Sequence, residues 1–65
     1  MQTGVVKFFN ESKGFGFIKP NNSGEDVFVH VTNISGGPLQ ENDKVQFEVQ
    51  QGRKGLEAIK VSLSS

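Results

Sequence analysis

Short runs of β-branched and aromatic residues, separated by clusters of Gly, Asn, Ser and Pro, extend along the whole sequence. Such runs are typical of strands joined by turns, and the apolar spacing of an amphipathic helix is absent. The sequence therefore predicts an all-β fold. We predict five strands, at residues 4–10, 14–19, 27–31, 44–50 and 56–63.

The length of the chain limits how these strands are arranged. Its 65 residues are enough for one domain, and five short strands are too few for two full sheets. A small curled barrel is the economical solution, because it also hides the sheet edges. The SH3-like barrel is a rival architecture that the sequence alone does not exclude. The chain has no cysteine, which excludes disulfides and thiolate metal sites.

The predicted second strand reads KGFGFIK over residues 13–19. Side chains alternate between the two faces of a strand, so its aromatic rings share a face with its lysines. The third strand, VFVHV, alternates in the same way and places its aromatic residues opposite its valines. One face of this region is therefore both cationic and aromatic, and it carries Lys13, Phe15, Phe17, Lys19, Phe28 and His30.

The opposite assignment of faces would bury these rings. A lone Phe is usually buried, but the reversal would also bury Lys13, Lys19 and His30. It would expose Ile18 and Val29 to solvent. We therefore predict that the rings face outward.

The other face of each strand supplies the interior of the barrel. By alternation, Val31 lies on the inner face of the third strand and Leu63 on the inner face of the fifth. The predicted interior consists of Val6, Ile18, Val27, Val29, Val45, Phe47, Val49, Ile59 and Val61.

An exposed cluster of aromatic rings flanked by cations normally marks an interaction site. Bases of a single-stranded nucleic acid stack on such rings at about 1–3 kcal/mol each, while ammonium groups contact the phosphates. A duplex hides the faces of its bases, so the pattern indicates binding of single-stranded RNA and DNA. Gly14 and Gly16 lack a Cβ, and we expect them to let the rings lie flat and the ligand backbone approach.

Further candidates rest on weaker arguments. Phe8 and Phe9 are adjacent, so simple alternation directs one of them inward. A bulge near Asn10 would expose both rings in part, and we favour Phe8, beside Lys7, as the ring that binds.

Three other basic residues and one histidine are further candidates for nucleic-acid contacts. His30 alternates with Phe28, which favours stacking or hydrogen bonding to a base over a simple surface role. Lys60 is predicted to add a phosphate contact. For Arg53 and Lys54, a solvated hairpin tip is an equally good interpretation.

Charge and composition restrict the class of protein. The formal net charge is zero, but residues 1–20 carry three lysines against one glutamate and are locally basic. We expect a cytoplasmic, soluble protein with no membrane contact, because apolar runs typical of signal peptides or membrane spans are absent. The expected oligomeric state is a monomer. One histidine and scattered carboxylates form no catalytic or metal-binding constellation. We therefore expect no enzymatic activity, no cofactor, no metal and no small-molecule substrate.

Three segments resemble the cold-shock domain in their order and close to its spacing. They are VVKFFN at residues 5–10, KGFGFI at 13–18 and DVFVHV at 26–31. The resemblance covers essentially the whole chain, and the second and third segments correspond to the family's two ribonucleoprotein motifs. Cold-shock proteins have the oligonucleotide-binding (OB) fold. The resemblance therefore implies that residues 1–65 form a single domain, a five-stranded antiparallel OB-fold barrel.

The resemblance also implies a function. Members of the family bind single-stranded RNA and DNA with low sequence selectivity, and act as RNA chaperones or in transcription and translation at low temperature. Binding unpaired strands and not duplexes shifts RNA toward open forms by mass action, without ATP. Together with the weaker candidates, the predicted nucleic-acid-binding residues are Lys7, Phe8, Phe9, Asn10, Lys13, Phe15, Phe17, Phe28, His30 and Lys60.

The chain departs from the family at three places. Position 8 is usually Trp and here is Phe, and Val31 stands where an aromatic residue often follows the histidine. The loop around residues 36–39 lacks the aromatic residue that many relatives have. Because ring contributions are not additive, we expect affinity to be lower than that of a typical member by about a few kcal/mol at most.

Two other functions fit an aromatic patch on a small barrel. The first is a protein-interaction module that holds a peptide, such as the readers of proline-rich segments. The second is an oligosaccharide-binding OB domain. Neither requires lysines between the rings, so a strong dependence of binding on salt would distinguish nucleic acid from both.

Overall fold

The computed structural model describes residues 2–21, 24–36, 39–52 and 55–64. A short 3₁₀ turn, Val31–Asn33, follows the third strand. No helix in these ranges is long and apolar enough to cross a lipid bilayer. The all-β prediction is confirmed, with strands β1 (Gln2–Asn10), β2 (Phe15–Pro20), β3 (Val27–His30), β4 (Lys44–Gly52) and β5 (Gly55–Leu63).

The five strands form a closed barrel in the order β1-β2-β3-β5-β4. The pairs β1–β2, β1–β4, β2–β3 and β4–β5 are antiparallel. β3 and β5 pair in parallel and complete the barrel. This arrangement is the Greek-key order of the five-stranded OB fold, and closure leaves few exposed strand edges.

The interior of the barrel is a compact core of aliphatic residues around one phenylalanine, Phe47. Most of the predicted interior is confirmed, and Val49 packs against the core while only partly buried. Two core residues, Leu39 and Ala58, were not predicted. The buried residues are Val6, Ile18, Val27, Val29, Leu39, Val45, Phe47, Ala58 and Val61.

β5 contains one more residue than β4 within their pairing. Gln46 pairs with Ser62, but Glu48, two residues further along, pairs with Ile59. The extra residue forms a bulge, and Lys60 within it has a positive φ of 52°. A bulge of this kind interrupts the alternation of side chains along the strand.

The bulge overturns the predicted faces of β5. Ala58 and Val61, three residues apart, are both buried. Ile59, predicted to be inside, is only half-buried. Leu63, predicted on the same inner face, is 61% exposed. The added residue therefore moves Ile59 off the inner face. Leu63 pairs with the buried Val45, and it is exposed because it is the last residue of the strand.

The inner face of the third strand ends earlier than predicted. β3 ends at His30, and Val31 begins the 3₁₀ turn with an exposed side chain. Its backbone N–H donates to the carbonyl of Gly14 at 2.8 Å, which ties the turn to the start of β2. The prediction that Val31 faces the interior was wrong because the chain leaves the extended conformation at that residue.

Candidate nucleic-acid interface

A register shift in β1 determines which of its rings faces outward. Val6 pairs with Ile18, whereas Phe8 pairs with Phe17, so Lys7 is an extra residue on β1. Without it, alternation would place Phe8 on the same inner face as Val6. The bulge turns Phe8 to the outer face, directly opposite Phe17. The irregularity lies between Val6 and Phe8, and not near the end of the strand where the sequence suggested it.

The aromatic platform, defined as Phe8, Phe15, Phe17 and Phe28, is a continuous cluster of rings on the outer face of β1, β2 and β3. Phe8 is 39% exposed. The other three rings are half-buried, and none belongs to the core. Ile18 and Val29, on the opposite face, are fully buried. The predicted orientation of the rings of β2 and β3 is therefore confirmed by their burial.

The rings of the platform pack on one another. Phe15 and Phe28 are stacked, with centroids 5.9 Å apart and planes 23° apart. Phe8 and Phe17 are 5.4 Å apart with planes tilted by 42°. Edge contacts at 5.8–6.5 Å join the remaining neighbours. These separations lie in the range of favourable aromatic pairs, so the rings support one another before any ligand arrives.

Phe9 and Asn10 lie at the end of β1, and the structure does not place them among the platform rings. Phe9 is half-buried and packs against the core. Asn10 shapes the β1–β2 turn, since its Oδ1 accepts from the backbone N–H of Lys13 at 3.1 Å. Its carbonyl accepts from the N–H of Gly14 at 2.8 Å. Asn10 therefore holds the turn that brings the rings of β1 and β2 together, while Phe9 attaches the end of β1 to the core.

The predicted cations are in different environments. Lys7 Nζ lies 2.8 Å from Asp26 Oδ2, and this pair is partly exposed. Lys13 is exposed in the β1–β2 turn and has no ion pair among residues that the structure describes. Lys60 Nζ is 3.4 Å from the Glu48 carboxylate of β4, on the side of β5 that faces away from β3. Lys60 is therefore not grouped with the rings.

The two remaining basic candidates, Arg53 and Lys54, lie outside the described residues. His30 is exposed at the end of β3 and pairs with Phe15 across β2 and β3. Its Nδ1 accepts from the backbone N–H of Thr32 at 3.2 Å and lies 2.9 Å from the Thr32 hydroxyl. The histidine thus borders the platform and also caps the 3₁₀ turn.

Gly16 has a different role from the one expected. It is buried, and a Cβ at this position would lie 2.5 Å from the carbonyl oxygen of Phe8 and 2.6 Å from the ring of Phe9. The absence of a side chain lets β1 approach β2 closely on the face opposite the rings. Gly14 has a φ of 74°, which favours glycine at the turn.

Sequence reasoning missed a groove beside the platform. Its volume is about 550 Å³, and it lies between the β1–β2 turn and the segment that precedes β4. No local sequence signal indicates it, because its walls are far apart along the chain. Among described residues, no group of His, Cys, Asp or Glu is arranged to hold a metal ion. The groove is lined by Phe8, Phe9, Asn10, Glu11, Ser12, Leu39, Gln40 and Glu41.

Comparison with known proteins gives consistent matches. A family model described as the 'Cold-shock' DNA-binding domain matches residues 2–64. The cold shock-like protein CspG of Shewanella violacea is 56% identical over 62 residues, covering 91% of this chain and 89% of that protein. The major cold shock protein of Micrococcus luteus is 52% identical over 65 residues, covering 95% of this chain and 97% of that protein.

One solved structure extends the comparison to three dimensions. The structure of Drosophila Unr CSD456 matches 98% of this chain with a TM-score of 0.83 and 27% sequence identity. This chain spans 26% of the length of that longer chain.

Proposed function

Because this chain belongs to the cold-shock domain family, which consists of non-enzymatic nucleic-acid-binding domains, we propose that it binds single-stranded RNA and DNA on the aromatic platform. The observation that carries the proposal is the outward cluster of four rings on β1, β2 and β3. Bases from an unpaired strand stack on such rings with little dependence on sequence. In a duplex, each base is covered on both faces by the neighbouring stacked bases, so a duplex gains little from the platform.

The cations complete the proposed site. Lys13 is exposed in the β1–β2 turn, two residues before Phe15, and Lys7 lies on the bulge that orients Phe8. Their ammonium groups are suited to contact phosphates while the bases stack on the rings. Asn10 supports this arrangement through the turn, and Phe9 and Asn10 line the groove beside Phe8. Lys60 contributes a more distant phosphate contact.

The proposal extends to a cellular role. The chain acts as a monomeric, cytoplasmic, single-domain RNA chaperone that needs no ATP and that influences transcription or translation. Binding only unpaired strands shifts an RNA hairpin toward its open form. At saturating protein without ATP, the melting temperature of a weak RNA hairpin should fall. An unchanged melting temperature would contradict the chaperone role while leaving strand binding intact.

Strand binding is tested by fluorescence anisotropy with dye-labelled oligo-dT, oligo-U and a matched duplex. The dye is placed on the oligonucleotide because the chain has no Trp or Tyr. Both single strands should bind more tightly than the duplex. The plot of log affinity against log salt should have a slope of about −2 to −3, as three or four lysines meet phosphates. Equal binding of duplex, or binding that salt leaves unchanged, would reject the proposal and favour a peptide or saccharide ligand.

A further inference from the structure

The imidazole of His30 is held by one residue on one of its two nitrogens. His30 ends β3, and its Nδ1 accepts from the backbone N–H of Thr32 at an N···N distance of 3.2 Å. The hydroxyl oxygen of Thr32 lies 2.9 Å from the same nitrogen. Thr32 therefore directs both its backbone donor and its side chain at Nδ1.

These contacts determine where the imidazole proton lies. A neutral imidazole carries its hydrogen on one nitrogen and accepts through the other. Because a backbone N–H can only donate, this contact favours Nδ1 as the acceptor, with the hydrogen on Nε2. The Thr32 hydroxyl then also donates to Nδ1, which further favours this tautomer.

The location of His30 places the Nε2–H of this tautomer at the edge of the aromatic platform. His30 is exposed, pairs with Phe15 across β2 and β3, and follows Phe28 on the outer face of β3. Its Nε2 has no hydrogen-bond partner among the described residues. The edge of the aromatic platform thus presents one N–H donor of fixed orientation, beside the stacked pair of rings.

We propose that Thr32 is a positioning residue that fixes His30 as a hydrogen-bond donor to an acceptor oxygen of the bound strand, either a base carbonyl or a phosphate. The inference rests on the proposed function, because it assigns a contact within the same binding site. It also separates two roles for His30. Nδ1 serves the fold by capping the turn, and Nε2 serves the ligand.

The tautomer is measured first, on the protein without nucleic acid. Long-range ¹H–¹⁵N NMR spectra of the neutral imidazole should show Nδ1 unprotonated in the wild type and in Thr32→Ser. Thr32→Val, which keeps the shape of the side chain but loses the hydroxyl, should increase the fraction protonated on Nδ1. A wild-type imidazole protonated mainly on Nδ1 would overturn the inference, whatever the protein binds.

Binding to oligo-dT is measured next, with thermal melts to confirm that each variant is folded. Thr32→Val should weaken binding roughly two- to tenfold, the usual range for one net hydrogen bond, and Thr32→Ser should bind as the wild type does. In a His30→Asn background the Thr32→Val change should have no further effect, because Thr32 acts through His30. A full additional loss in that background would overturn the positioning role.

Two substitutions at His30 distinguish the role of Nε2 as a hydrogen-bond donor from the role of Nδ1 in capping the 3₁₀ turn. The amide nitrogen of Gln reaches approximately the place of Nε2, whereas the amide of Asn occupies that of Nδ1. His30→Gln should therefore bind oligo-dT more tightly than His30→Asn. The reverse order would show that only the cap matters and would overturn the inference.

The source of the acceptor is resolved by a strand with abasic sites. If Thr32→Val weakens binding to this strand as well, the acceptor is a phosphate, and if the loss is confined to oligo-dT, it is a base carbonyl. Both results support the donor role. A wild type that fails to bind oligo-dT rejects the proposed function. A wild type that binds, with Thr32→Val unchanged in affinity, rejects the inference alone.

Discussion

Lys7 Nζ lies 2.8 Å from Asp26 Oδ2, so one of the cations nearest the platform is already paired with a carboxylate. The pair is partly exposed, and pairs of this kind contribute little to stability. We expect a larger effect on binding, because a strand that recruits Lys7 to a phosphate must also accept a negative charge nearby. The Asp26 carboxylate is therefore expected to limit affinity for a polyanion.

Replacing this carboxylate should strengthen binding. Asp26→Asn removes the charge and frees Lys7, and we expect affinity for oligo-dT at low salt to rise by about fivefold or less, equivalent to about 1 kcal/mol. Anisotropy titrations at two salt concentrations measure the change, which should shrink as salt increases. Glu48→Gln is the matched control, since it removes the same charge from the Lys60 pair on β4 and β5. Equal gains in both variants would show that net charge, and not the local pair, limits affinity.

Phe17 should contribute more to binding than to folding. It packs against Phe8 at 5.4 Å and against Phe28 at 5.8 Å, but remains outside the core. Phe17→Ala should weaken oligo-dT binding by about 1–3 kcal/mol, because a base loses its stacking surface. The free energy of unfolding should fall by only about 1 kcal/mol, the scale of a lost aromatic pair.

Val29, in contrast to Phe17, should contribute more to folding than to binding. Val29 is fully buried, and its truncation should lower the free energy of unfolding by roughly 2–4 kcal/mol. The folded variant should retain its affinity for oligo-dT. Urea unfolding and anisotropy on both variants test the pair of expectations. If Phe17→Ala lowered the free energy of unfolding as much as Val29→Ala does, the platform would contribute mainly to the stability of the fold.

The sequence predicted the platform because alternation is regular in β2 and β3. Lys19 and His30 made burial of that face implausible, while Ile18 and Val29 required the other face to be inside. The same rule failed in β5, where a bulge places one extra residue between paired positions. A bulge is determined by the register of two strands that are distant in sequence, so the residues of one strand do not reveal it.

Contacts between segments that are distant in the chain also could not be predicted from the sequence. Leu39 was treated as part of a loop without aromatic residues, yet it is a core residue. Asp26 and Thr32 gain their partners only when the turns after β2 and β3 fold. In each case the local residues allow many arrangements, and the closed barrel selects one.

A larger ring at position 8 should tighten binding. Phe8 is the most exposed ring of the platform, at 39%, so an indole can be added at the rim without disturbing the core. Phe8→Trp should bind oligo-dT about two- to fivefold more tightly, because it offers a larger stacking surface. Its fluorescence should also change on binding, which needs no dye since the wild type has no Trp. Leu63→Trp, exposed on β5, is the control and should change neither affinity nor emission.

Gly16 should tolerate no side chain. A Cβ there would lie 2.5 Å from the Phe8 carbonyl oxygen, and backbone atoms cannot move away easily. Gly16→Ala should lower the free energy of unfolding by about 1–3 kcal/mol or more, as overpacking does. Gly24→Ala is the control, because a Cβ at Gly24 meets nothing within 4 Å and we expect no loss of stability. Equal melting temperatures for the two variants would show that β1 and β2 can separate without penalty.

The segment before β4 should contribute strongly to stability through one residue. Leu39 is only 3% exposed and packs in the core, whereas Leu63 is 61% exposed. Leu39→Ala should therefore cost about 2–5 kcal/mol in the free energy of unfolding, and Leu63→Ala about 0.5 kcal/mol or less. The two substitutions remove the same atoms from a buried and an exposed site. Urea unfolding of both variants measures the difference in the free energy of unfolding. A small loss for Leu39→Ala would mean that this segment detaches from the barrel in solution, and the groove beside Phe8 would then open along with it.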